Sequence, residues 1–114
     1  MADLSKFQHV LEALQHAQTM GAVAIKEDRT TFQEDDQDCY PRGLVVTLER
    51  KDPKWDSLRF LSKHLDWVSL TGKQLNIRPP QPMKFRLTEV AYLNAVADAL
   101  KERGIDCFPD VHYR

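Results

Sequence analysis

The residues of this chain able to do chemistry are two cysteines, four histidines and two oppositely charged segments, and their spacing excludes more reactions than it suggests. A phosphatase-type cysteine needs an arginine six positions later to complete its phosphate cradle. Cys39 has Val45 at that position and Cys107 has Tyr113, with Arg114 one place late. Neither thiol has a second cysteine three residues away, so there is no Cys-x-x-Cys redox pair. His9, His16, His64 and His112 include no pair one helical turn apart. His9 and His16 are two turns apart, about 10 Å of rise, which is too far for one metal with only Glu12 between them. The glycines at 21, 43, 72 and 104 stand singly, so no glycine-rich loop can wrap a phosphate. These spacings assign no metal, no cofactor and no catalytic residue, and they favour a binding protein over an enzyme.

The two charged segments offer a different chemistry. Glu34, Asp35, Asp36 and Asp38 put four carboxylates into five residues. Such a run can ligate a hard cation or imitate a phosphate backbone, but the alternating ligands, glycine turn and late acid of a calcium loop are missing. Its plain reading is a solvated loop, and its functional reading is a contact for a cationic partner. Lys73, Arg78, Lys84 and Arg86 form the counterpart, with no acid between residues 73 and 86. They flank Pro79, Pro80 and Pro82, which hold a chain extended at low entropic cost and suit a connection or a contact surface equally.

The elements that must position these groups can be read from local patterns. Leu4, Phe7, Val10, Leu11, Leu14 and Ala17 recur at helical spacing and predict a helix over 4–20, with Asp3 or Ser5 as its cap and Gly21 as its stop. Alternation of Val23 and Ile25 suggests a short strand over 22–26, unless that run prolongs the helix. Residues 40–43 (Tyr-Pro-Arg-Gly) predict a turn launching a central strand over 44–49. Asp52 as cap with Pro53 as the first helical residue, followed by the Trp55, Leu58, Leu61 and Leu65 stripe, predicts a helix over 53–65. Residues 67–70 and 74–78 read as a hairpin, and 83–87 as an edge strand after the prolines. Thr88 is placed to cap a helix over 88–103, with Leu87 and Tyr92 as a hydrophobic staple. Gly104 ends that helix, with Leu100 and Ile105 as the apolar pair of the stop, and a strand follows over 105–111.

Three helices interspersed with four to five short strands define an α+β or mixed α/β class, and 114 residues fit one globular domain over 1–114. Residues 1–57 carry seven Lys/Arg against eleven Asp/Glu, and residues 58–114 carry nine against six. The net charge of -1 therefore conceals a dipolar surface and argues against a protein that coats nucleic acid. No signal peptide or membrane-length apolar run is present, so a cytoplasmic protein with two reduced thiols is expected. The resulting expectation is a small protein-binding domain of the adaptor or inhibitor kind often carried by mobile genetic elements such as phages, acting by occupying a partner's surface. Two alternatives stay open: nucleic-acid binding through residues 73–86, or an enzyme whose site is assembled from scattered groups such as His64, Asp66 and Cys107.

Overall fold

The computed structural model describes residues 7–27, 39–80 and 86–113. Its elements run α1 (Gln8–Glu27), β1 (Cys39–Val46), α2 (Lys54–His64), β2 (Val68–Thr71), β3 (Gln74–Ile77), α3 (Arg86–Glu102) and β4 (Cys107–Tyr113). The four strands form one antiparallel sheet in the order β2-β3-β1-β4. This is a small α+β domain. Along the strands Leu44, Val46, Val68, Leu75, Ile77 and Cys107 are buried, while Ser69, Asn76 and Phe108 in alternate positions are exposed. The buried set shares a single core with Leu14 of α1, Leu58 of α2 and Tyr92 and Leu100 of α3. The helices therefore cover one face of the sheet, and among the described residues nothing covers the other. No helix among them is long and apolar enough to cross a membrane.

Local chemistry explains the element ends that agree with expectation. Gly104 has φ +84°, the left-handed region that only glycine enters without strain. Its N–H bonds the Lys101 carbonyl at 3.0 Å and the Ile105 N–H bonds the Leu100 carbonyl at 2.9 Å, the two bonds of a Schellman stop. Leu100 and Ile105 are both fully buried beneath it. At the start of α2, Pro53 already has helical angles (φ -62°, ψ -17°), so the residue that caps is Asp52, whose carboxylate accepts the Lys54 N–H at 2.9 Å. The hairpin of β2 and β3 pairs Thr71 with Gln74 across the two-residue turn Gly72-Lys73.

Several expectations are corrected. Gly21 does not stop α1, and the strand expected over 22–26 is its last turns. The Leu14, Ala17, Gly21, Ile25 series continues the helical stripe, and Gly21 is buried where α1 crosses α3: a Cβ there would overlap the Tyr92 ring and come within 2.9 Å of Val96 Cγ2. Residues 40–43 are not a turn but part of β1. Arg42 and Gly43 together face Asp110 in a bulge that shifts the register between Pro41 and Leu44, and the strand ends at Val46 rather than at 49. Gly43 has φ +105°, and a Cβ on it would overlap the Asn76 side chain. Helix α3 begins at Arg86, so Thr88 lies in its first turn instead of capping it, and residues 86–87 of the expected edge strand are helical. Residues 83–85 of that strand and the caps Asp3 and Ser5 lie outside the described residues.

The middle of the sheet is thinly joined. β1 pairs with β4 at six positions but with β3 only at Leu44–Leu75 and Val45–Gln74. Beyond those two rungs the carbonyls of Ile77 and Arg78 turn to the helices, accepting from Tyr92 Oη at 2.8 Å and from Gln18 Nε2 at 2.7 Å. Side chains of α3 and α1 thus supply hydrogen bonds that the neighbouring strand does not make.

Candidate functional site

Three surfaces have a shape or chemistry that a ligand could use. The first is the uncovered sheet face. Gln74 of β3 reaches over the bulge of β1, donating from Nε2 to the Arg42 carbonyl at 2.7 Å and to Asp110 Oδ2 of β4 at 3.3 Å. His112 Nε2 lies 3.1 Å from Asp110 Oδ1, so one carboxylate holds side chains of β3 and β4 together. Beside this polar row Phe108 projects from β4 with 47% of its surface exposed, next to the half-buried Val45 with which it pairs.

The second is a cleft of about 360 Å³ where β1 parts from β3. Arg42 and Arg78 face it together with Asp66 and Glu89, and Trp67 and Tyr92 line its wall. The charges balance. The Tyr92 hydroxyl is committed to the Ile77 carbonyl, and burial pushes its pKa far above the ordinary phenol value, so it stays protonated. Ser69 also lines the cleft, and among the described residues no imidazole does.

The third is a basin of about 470 Å³ at the other end of the sheet, between the loop after β1, the first turns of α2 and the β2–β3 turn. Arg50, Arg59 and Lys73 line it with Leu48, Trp55 and Gly72.

The residues singled out from sequence are distributed unevenly over these surfaces. Lys73 stands in the hairpin turn and Arg78 just past the far end of β3, separated by roughly 17 Å of strand, so they belong to the basin and the cleft respectively. Arg86 opens α3. Lys84 and the acidic run Glu34, Asp35, Asp36 and Asp38 lie outside the described residues. His64, Asp66 and Cys107 do not meet: Asp66 lines the cleft, His64 stacks on Phe60 with ring centroids 4.1 Å apart, and Cys107 is buried at the Val46 end of β4. Among the described residues no three His, Cys, Asp or Glu side chains converge as a metal cluster. Arg50 and Arg59 were not apparent as site residues in the sequence, because only the folding of the hairpin brings Lys73 to them.

The two cysteines cannot bridge within the chain. Cys39 pairs with Tyr113 and Cys107 with Val46, at opposite ends of a ladder spanning roughly 20 Å, whereas a disulfide needs Cα atoms closer than about 7 Å. Burial pushes the Cys107 thiol up to about 11 from 9.0, with Asp106 and Asp98 adding to the rise and Lys101 opposing it. The folded chain therefore keeps this proton between about pH 9 and 11 while the unfolded chain releases it, so the stability tied to Cys107 is intact below pH 9 and is lost as pH rises through that window. Urea unfolding of wild type and Cys107→Ala at pH 8, 9 and 10 is expected to show the gap between them narrowing with pH. A constant gap would show that the thiol titrates alike in both states.

Comparison with known protein families, characterised proteins and solved structures finds no match to this chain.

Proposed function

We propose that this chain is a small protein-binding domain, of the adaptor or inhibitor kind, that acts in the cytoplasm by occupying a partner's surface. The observation that carries it is the uncovered sheet face, where Phe108 stands 47% exposed beside a satisfied polar network. An aromatic anchor surrounded by hydrogen-bonded polar groups is the anatomy of an interface hot spot and its rim. The balanced charges of the neighbouring cleft add specificity for a polypeptide rather than for a polyanion. The separation of Cys39 from Cys107 leaves the chain without an internal disulfide, which fits a reducing compartment.

The test compares wild type with Phe108→Ser as baits in lysate of the source organism. Because Phe108 lies on the solvent side, the variant is expected to keep the wild-type unfolding midpoint. Wild type is expected to retain a protein in a stoichiometric complex resolved by size-exclusion chromatography, and the variant to lose it, since truncating a central aromatic anchor costs about 2 kcal/mol or more. Retention of the same protein by both baits would remove the sheet face as the site. Recovery of nucleic acid alone, or of nothing, by wild type would overturn the protein-binding reading.

A further inference from the structure

We propose that the basin formed by Arg50, Arg59 and Lys73 binds a small, multiply charged phosphate compound. It goes beyond the protein-binding reading and stands on a different surface. Three cations reach it from three separate elements, and no carboxylate lines it. Among the described residues Arg50 and Lys73 have no ion-pair partner, so their charges face the basin uncompensated. Arg59 lies 3.2 Å from Asp56, but both side chains are largely exposed, and such a pair yields readily to a stronger anion. Converging like charges repel one another and gain most from a ligand carrying several negative charges in a small volume.

The frame of the basin is fixed before any ligand arrives. The Lys73 carbonyl accepts the Val46 N–H at 2.8 Å, which ties the turn to β1. Trp55 Nε1 donates to the Glu49 carbonyl at 3.0 Å, which ties the loop bearing Arg50 to α2. Trp55 is buried, and the Arg59 guanidinium lies 5.8 Å from its ring centroid, so the aromatic face helps hold that cation in place. Two guanidinium forks and one ammonium suit phosphate oxygens, because arginine binds them in pairs while lysine adds a point charge. The volume of about 470 Å³ falls within the range of small-molecule sites, about 300–1,000 Å³.

A nucleic-acid backbone fits less well. Along the segment that supplies Arg50 and Arg59, Glu49, Asp52 and Asp56 alternate with Lys51 and Lys54, and Lys54 is paired with Asp52, so the charge there is mixed rather than a continuous basic run. Trp55 is too deeply buried to offer its face to a base. The ligand inferred is therefore compact and free in solution.

Calorimetric titration of the full chain with inorganic triphosphate, in metal-free buffer at low salt, tests the inference. Wild type is expected to bind one equivalent, and Arg50→Gln or Lys73→Gln to weaken binding about ten-fold or more each, in line with losing a charge-assisted hydrogen bond. The triple variant with Arg59→Gln should show no binding. Its far-ultraviolet circular dichroism and unfolding midpoint should match wild type, since all three side chains are exposed. Arg78→Gln in the separate cleft and Phe108→Ser on the sheet face should bind triphosphate as wild type does, which keeps this result independent of the protein-binding test. No binding by wild type at millimolar triphosphate, or equal affinity in a folded triple variant, overturns the inference. So does an oligonucleotide whose affinity for wild type grows with its length and depends on the same three cations.

Discussion

Truncating Leu100 or Leu58 to alanine is expected to destabilise the domain by about 2–5 kcal/mol in each case, which is a large share of the roughly 5–15 kcal/mol that holds a domain of this size together. Both side chains are completely buried in the common core. Leu100 also lies at the point where α3 stops: its carbonyl accepts the N–H groups of Arg103 and Ile105, and its side chain and that of Ile105 are buried together under the turn. Loss of its methyl groups would leave a void against a backbone that cannot relax without breaking the stop. Leu58 sits on α2, the helix that packs on β2, and Leu58→Ala would loosen that layer from the sheet edge. Urea unfolding followed by tryptophan fluorescence measures both losses. Values under about 1 kcal/mol for the two variants would mean that these stripes do not face one core.

Replacing Gly21 with valine is expected to be comparably damaging, at about 2–4 kcal/mol, although a helix interior normally prefers almost any residue to glycine. The opposing effects can be weighed. Removing glycine from a helix gains up to about 1 kcal/mol, whereas a side chain at this position must displace the ring of Tyr92, which is 1% exposed and tethered through its hydroxyl to Ile77. Overpacking of that kind costs about 1–3 kcal/mol, and breaking the tether adds the penalty of an unpaired buried carbonyl. A double-mutant cycle with Tyr92→Ala isolates the clash: the paired variant should lose less stability than the two single losses added together. Full additivity would show that α1 and α3 do not touch through these residues.

Gly21 also shows where local reasoning stops. The stop at Gly104 was legible because glycine, Leu100 and Ile105, all its determinants, lie within six residues. Gly21 has the same local look, yet its reason is a ring on another helix, and nothing between residues 17 and 26 announces that ring. Gly43 repeats the lesson: proline and glycine spaced for a turn were instead used to bulge a strand so that Asn76 could lie against its backbone. Thr88 is a competent cap that the chain passes over, because α3 is already helical at Arg86. For the candidate sites the limit is the same. The basic character of Lys73 is legible in the chain, but its spatial company is not: Arg78 stands at the far end of β3, whereas Arg50 and Arg59 line the basin with Lys73. The aromatic at 108 carries no signal of exposure until the strand's alternation and the one-sided packing of the described helices are both known.

The narrow join between β1 and β3 has a consequence for how the chain comes apart. Sheets ordinarily fray from their outer strands, where one side of the ladder is already open to water. Here the thinnest line runs down the centre, with two ribbons, β2–β3 and β4–β1, stitched by two residue pairs, a backbone bond from Val46 to Lys73 and the Gln74 side chain's bonds to Arg42 and Asp110. Each ribbon has its own helix contacts, α2 on the first and α3 on the second. What unites them is less the sheet than Tyr92 and Gln18, whose grip on the Ile77 and Arg78 carbonyls makes the helical layer the clasp that keeps two hairpin-like halves folded as one.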